Sequence, residues 1–228
     1  MKRVADFVFE HLHATGTRDV FLLTGGGAMF LNDALGRVAG LNYVCCHHEQ
    51  ACAMAAEAYA RVSGKVGVVS VTTGPGGINA LNGVFGAWTD SIPMLVISGQ
   101  VKRETIMTSY DLPRLRQLGD QEADMVRMAE GITKYAVQVR EPESIRYHLE
   151  KALHLASTGR PGPCWLDIPI DVQSALVDPD ALEGYTPEPD TEVATGAELA
   201  ESAREVLRRL AEADRPALMV GSGIRLAG

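Results

Sequence analysis

The chain has 228 residues, enough for one large domain, or for one domain and the start of a second, around a sizeable core. With 46% hydrophobic and 22% charged residues and 23 glycines it has the profile of a soluble α/β protein, which excludes a disordered or fibrous chain. A net charge of -8 disfavours a nucleic-acid partner, which needs clustered Lys and Arg, and no apolar run approaches the roughly 20 residues that cross a bilayer, so no membrane partner is expected either.

Met1, Lys2 and Arg3 lead directly into a helical pattern with Asp6 and Glu10, unlike a signal peptide, and a cytoplasmic location is expected. Val4, Phe7, Val8 and Leu12 recur at helical spacing, Gly16 stops the helix, and residues 19–23 form a short apolar strand. His11 and His13 on that helix read as surface residues. The strand runs into Thr24-Gly25-Gly26-Gly27-Ala28, after which Met29, Leu31 and Leu35 begin a new helix. The alternation continues with strand 41–46, helix 49–62, strand 66–71, helix 77–88 and strand 94–98. Beyond an irregular stretch, 101–118, come helix 124–130, strand 134–139, helix 142–157 and strand 164–168. About six strands separated by helices predict an open, mostly parallel, doubly wound α/β sheet with helices on both faces.

The first domain is expected over residues 1–172. Residues 173–197, acidic and carrying Pro179, Pro187 and Pro189, read as a linker. Residues 198–228 hold an amphipathic helix, 198–211, and a strand and turn, 216–223, that look like the beginning of a second Rossmann-like domain. One strand and one helix cannot bury a core of their own. Cys45, Cys46, Cys52 and Cys164 have neither CxxC spacing nor the density of a disulfide scaffold, and are read as buried small hydrophobes.

In an open parallel sheet, ligands gather beyond the carboxyl ends of the strands. Three loops there stand out. Gly25-Gly26-Gly27 permits close backbone approach, although tight turns use glycine freely. In His47-His48-Glu49-Gln50 a carboxylate opens a helix, a position the helix dipole favours in any protein. Thr72-Thr73-Gly74-Pro75-Gly76-Gly77-Ile78-Asn79 lacks the lysine of a P-loop, so nucleotide hydrolysis is discounted. Arg160-Pro161-Gly162-Pro163 reads as a structural turn, and Asp167, Pro169 and Asp171 as the structural exit of the domain.

Taken in order, TGGGA, HHEQACAMAAEAYARVSGKVGVVSVTTGPGGIN, AWTDSIPMLVISGQV, GDQEADMV, ITKYAV and GRPGPCWLDIPIDV resemble the pyrimidine-binding domain of thiamine-diphosphate enzymes, within them the acetolactate-synthase group. The resemblance covers about residues 4–172. It implies that Glu49 hydrogen-bonds the ring nitrogen N1' of the cofactor's aminopyrimidine, so that the 4'-nitrogen can take the C2 proton and the activated carbon can attack a 2-oxo acid such as pyruvate. It also implies that Gly26, Gly27 and Ala28 line the pocket near the reacting carbon, that Thr73, Pro75 and Asn79 flank the pyrimidine, and that Gln121 stands near the active centre. His48 joins the pocket in this reading, and His47 packs or faces solvent.

Two departures bear on specificity: Asp120 stands where acetolactate synthases carry Phe, and Thr24-Gly25-Gly26-Gly27 replaces Gly-x-Pro-Gly-Gly. The Gly-Asp-Gly and Asn motif that holds Mg2+ and the diphosphate in this family lies in a domain this sequence does not contain. The resemblance therefore implies a homo-oligomer or a separate diphosphate-binding subunit as partner. The central domain that carries FAD in acetolactate synthases is represented only by its first elements, which leaves flavin dependence open. Decarboxylation alone, oxidation, or two-carbon transfer to another acceptor are the alternative reactions. A non-catalytic assembly module is the alternative class.

Overall fold

The computed structural model describes residues 1–188 and 196–224. The chain divides into two compact units, Met1–Thr186 and Pro187–Gly228.

The first unit is built on a six-stranded sheet. In chain order it contains β1 (Lys2–Arg3), α1 (Val4–Ala14), β2 (Asp19–Leu22), α2 (Met29–Arg37), β3 (Asn42–Cys45), α3 (Glu49–Ser63), β4 (Gly67–Val71), α4 (Pro75–Thr89) and β5 (Met94–Gln100). It continues with α5 (Met125–Ala129), β6 (Tyr135–Gln138), α6 (Ile145–Ser157), β7 (Pro163–Pro169), α7 (Ile170–Ser174) and β8 (Leu176–Val177). The sheet order is β3-β2-β4-β5-β7-β6, with every pair parallel. The expected doubly wound parallel sheet is therefore present.

Its two faces explain the sequence pattern. Side chains alternate across a strand, so Val68, Leu95, Ile97, Cys164, Leu166 and Ile168 enter a core with α1, α2, α6 and α7, while Val69, Val71, Met94, Val96 and Trp165 enter a second core with α3, α4 and α5. Covered on both sides, β4, β5 and β7 are buried at every residue. β3, at the sheet edge, is exposed throughout.

Several elements differ from the sequence reading for identifiable reasons. β5 runs on to Gln100 because Ser98 and Gln100, polar but buried, continue the ladder with β7. α4 starts at Pro75, which occupies the first turn, where the missing proline N–H costs no helical bond. α6 starts at Ile145, after a 3-10 turn over Pro142–Ser144. Past Val172, α7 and the antiparallel pair of β1 with β8 pack on, and Leu182 remains in the core, so the compact unit reaches Thr186. Cys45 is exposed and Cys46 half-buried, since both lie on or beside the edge strand. Cys52 and Cys164 are buried as expected, and burial pushes both thiols up to about 12. His11 is half-buried against Phe7, where burial lowers its pKa, and His13 is half-buried too.

The described residues of the second unit include one long helix, α8 (Gly196–Glu212), with Leu199, Val206 and Leu207 exposed among its charged residues. The strand expected at 216–223 is not formed, and Leu218, Met219 and Val220 are exposed. A lone strand has no ladder to join. The middle of the expected linker, residues 189–195 with Pro189, and the last residues, 225–228, lie outside the described residues. Among the described residues no helix is long and apolar enough to cross a membrane.

Candidate functional site

The strand order places the three loops side by side. The chain leaves β2 toward the edge strand β3 and returns on the other side of β2 as β4, the kind of reversal beyond whose carboxyl strand ends open parallel sheets bind ligands.

The loop after β2 packs directly on the loop after β4. A Cβ on Gly25 would stand 2.5 Å from the Thr72 side chain, and one on Gly27 would stand 2.9 Å from Thr73 Cγ2. A Cβ on Gly26 would meet nothing within 4 Å, so Gly26 faces open space at the rim. The carbonyls of this turn are held from below: Gln173 Nε2 donates to Gly27 O at 2.7 Å and Asn32 Nδ2 donates to Gly25 O at 3.5 Å. The amides of Gly26 and Gly27 open the helical turn, where amides have no intrahelical acceptor. Ala28 is different: its side chain is fully buried in the core, so only its backbone belongs to the turn.

Glu49 is the first residue of α3. His48 caps that helix by accepting the Gln50 N–H on Nδ1 at 3.1 Å, and both His47 and His48 are exposed. The Glu49 residue itself is only 7% exposed. Its Oε2 accepts from Asn79 Nδ2 of α4 at 3.0 Å. Its Oε1 lies toward Gly76, where an added Cβ would be 3.4 Å away, and has no hydrogen-bond partner among the described residues. The structure thus brings Glu49, Asn79 and the glycines of the third loop together. α3 and α4 can approach closely because a Cβ on Gly83 would lie 2.5 Å from Ala53 Cβ.

In the third loop Gly74 has φ 55°, a left-handed conformation, and a Cβ there would overlap the carbonyl oxygen of Gln121. Gln121 is itself left-handed at φ 57° and exposed. Its segment is pinned by the Glu122 carboxylate, which accepts from Met107 N at 2.7 Å and Gly119 N at 3.2 Å. Gln121 therefore stands against the third loop, in which Pro75 is exposed at the head of α4. Asp120 is exposed next to Gln121.

Below the rim lies a polar network that the sequence reading missed. Thr73, nearly buried, donates its hydroxyl proton to Gln100 Oε1. Gln100 Nε2 donates to Asp167 Oδ2 at 3.1 Å and to Ala123 O at 2.9 Å. Asp167, fully buried, also accepts from Ser98 Oγ at 2.6 Å and Gln138 Nε2 at 3.0 Å, and Trp165 Nε1 donates to Ser98 Oγ at 2.8 Å. Burial pushes the Asp167 carboxyl up to about 6, against the downward pull of the bonds from Gln138, Ser98 and Gln100. The only sequence signal was polar residues inside otherwise apolar strands. Asp171 pairs with Arg103 Nε at 2.7 Å, and Arg160 Nε donates to Ser91 Oγ at 2.7 Å, both structural contacts. Among the described residues no group of His, Cys, Asp and Glu could hold a metal ion.

Fold and rim together define a doubly wound α/β domain with two glycine-rich loops and one near-buried carboxylate gathered at its topological switch. Residues 2–131 match the family "Thiamine pyrophosphate enzyme, N-terminal TPP binding domain". The chain belongs to this family of thiamine-diphosphate enzymes. It is 37% identical over 225 residues to the acetolactate synthase large subunit of Buchnera aphidicola, covering 96% of this chain and 37% of that protein. It is 36% identical over 229 residues to the acetolactate synthase isozyme 3 large subunit of Escherichia coli, covering 98% and 38%. It is 38% identical over 232 residues to the chloroplastic acetolactate synthase 1 of Zea mays, covering 100% and 34%. The chain therefore spans little more than a third of the length of these relatives.

Proposed function

We propose that this chain is the pyrimidine-binding part of a 2-oxo-acid decarboxylase and carboligase of the acetolactate-synthase kind, with pyruvate as donor substrate. The observation that carries the proposal is the division of labour on Glu49: Oε2 is occupied by the Asn79 amide, while Oε1 is left at a wall of glycine. Gly76 lets this wall close up behind the carboxylate, since a Cβ there would meet Thr72 Cγ2 at 2.7 Å and Glu49 Oε1 at 3.4 Å, and Oε1 is left as the free acceptor for a ring nitrogen. Since Asn79 donates to Oε2, a proton that Glu49 shares with a ring nitrogen belongs on Oε1. Thiamine diphosphate, when bound, supplies a nucleophilic carbon and an electron sink for decarboxylation. Glu49 holds and moves the proton that this chemistry needs, Thr73, Pro75 and Asn79 bound the ring, and the Gly26 and Gly27 amides together with Gln121 face the substrate side.

In this reading the rest of the active site lies on a diphosphate-binding domain, in the remainder of a longer chain or in a partner. The proposal places Mg2+ on a diphosphate-binding domain, and an FAD, where the enzyme carries one, on the central domain that α8 begins. It takes the partner to be a second copy or a separate diphosphate-binding subunit. The exposed apolar stripes of α3 (Met54) and α4 (Ile78 and Phe85) support that partner. A cytoplasmic setting is part of the same reading.

Asp120 favours a second reading of the acceptor step. An exposed carboxylate beside Gln121 repels a second 2-oxo-acid anion, which points to decarboxylation, oxidation or transfer to a neutral carbonyl. Incubating the complete enzyme with pyruvate and a panel of charged and neutral acceptors separates these products. In the same enzyme, Glu49→Gln keeps shape but loses the carboxyl proton, and turnover should fall by about 10²- to 10⁴-fold with the fold intact. Undiminished turnover would leave only an assembly role.

A further inference from the structure

Gln100 is the last residue of β5 and is 1% exposed, and its one amide has four partners. Oε1 accepts from Val101 N at 3.0 Å and from the Thr73 hydroxyl. Nε2 donates to Ala123 O at 2.9 Å and to Asp167 Oδ2 at 3.1 Å. Val101 N–H on one side and Ala123 O and Asp167 Oδ2 on the other fix the amide's orientation, since turning it over would set these three against like groups, and the rotatable Thr73 hydroxyl then points its proton at Oε1. Asp167 in turn is fixed by Ser98 and Gln138.

Two consequences reach the rim. The Thr73 proton is committed to Gln100, so the hydroxyl has only acceptor capacity for anything else it meets. Gln121, a non-glycine residue at φ 57°, holds a left-handed conformation that persists only under constraint, and Gln100 grips the carbonyl of Ala123 two residues further on. The loop that carries Gly74 and the segment that carries Gln121 meet directly, and one buried amide ties both to the sheet.

We propose that Gln100, oriented by Asp167, is a positioning residue that holds residues 72–77 and 121–123 in register as two sides of the cofactor pocket. This rests on the cofactor reading above. Gln100 touches no substrate; it acts through Thr73 and Ala123.

The test uses the complete enzyme, stripped of cofactor and titrated calorimetrically with thiamine diphosphate in the presence of Mg2+. Gln100→Glu is nearly isosteric but turns an oxygen toward Ala123 O and Asp167, and the dissociation constant should rise about tenfold or more, with the far-ultraviolet circular dichroism unchanged. Thr73→Val leaves Gln100 and Asp167 in place and removes the bond; it should weaken binding in the same direction, and Thr73→Ser, which restores the hydroxyl, should recover much of the affinity that Thr73→Val loses. A folded Gln100→Glu enzyme with the wild-type constant overturns the proposal, and so does a Thr73→Val enzyme that binds as tightly as wild type. Should Gln100→Glu fail to fold, the two Thr73 variants decide alone. A wild-type enzyme that takes up no thiamine diphosphate overturns the cofactor reading and this proposal with it, an outcome distinct from tight wild-type binding that the Gln100 and Thr73 variants leave unchanged.

Discussion

Single residues at the rim divide into those the fold requires and those only a ligand would require, and glycine substitutions can sort them. Gly25 is extended at φ -168°, so alanine there has no backbone strain, yet its Cβ would meet Thr72 at 2.5 Å. Gly25→Ala should cost about 1–3 kcal/mol of unfolding free energy in a denaturant titration, as overpacking does. Gly26→Ala, with open space around it, should stay within about 0.5 kcal/mol. Asp167 offers a pH test of the buried network. Its folded pKa, about 6, is raised above the ordinary 3.8, so the folded protein takes up the proton first. The cost of the buried charge is therefore fully present above about pH 6 and is relieved as pH falls from about 6 toward 4. Asp167→Asn has no such proton to gain, so wild type should gain stability relative to the variant between pH 7 and pH 5; the acids held low by Arg3, Arg103 and Arg146 are common to both proteins and cancel. A difference in unfolding free energy that is flat with pH would show that Asp167 does not titrate there. Glu49 was legible in the sequence because its neighbours form a recognisable string. Gln100 and Asp167 were not, since Asp167 meets Ser98 across 69 residues of chain and nothing local marks the pairing.

Among the elements, the pair α3 and α4 matters most, because Glu49 and Asn79 meet only if the two helices lie close. Their contact runs through Gly83 and Ala53, with the small residues Cys52, Ala56, Ala60, Ala80 and Ala87 buried along it. Gly83→Ala would push the helices apart, and two effects should appear together: a loss of about 1–3 kcal/mol in stability and weaker uptake of thiamine diphosphate by the complete enzyme. Gly36→Ala on α2, where nothing lies within 4 Å, should instead stabilise by about 0.5–1 kcal/mol and leave cofactor binding unchanged. Stability loss without any change in binding would mean that the helix spacing does not set the carboxylate's position. Helices and central strands were legible at this scale because their apolar periods differ. The ends of β5 and the start of α4 were not, because buried Ser98 and Gln100 read as the close of an apolar run and Pro75 as part of a loop. The strand expected at 216–223 had the right composition and no partner strand, and composition alone does not make a sheet.

At the scale of the molecule, the first unit buries the apolar residues of its central strands on two faces, yet leaves an apolar surface on one helix pair. Met54 on α3 and Ile78 and Phe85 on α4 are exposed, with Ala51 and Ala58 beside Met54 at helical spacing and Asn82 between the other two. Gln50 Nε2 donates to Asn82 Oδ1 at 3.1 Å across the two helices, so this surface is one continuous, fixed face. It shares its helices with Glu49 and Asn79. A pocket that presents one carboxylate and a glycine wall encloses a ligand only when something else closes over it, and an apolar face on the same helices is where a closing partner gains most from leaving water. Phe85→Glu places a charge on that face without disturbing the core, because Phe85 is 53% exposed. In the complete enzyme it should reduce the mass measured by sedimentation velocity and weaken thiamine diphosphate binding roughly tenfold or more, as loss of an aromatic anchor does. Mass and affinity that both stay at wild-type values would move the partner's surface elsewhere and leave α3 and α4 with an apolar face that serves no assembly.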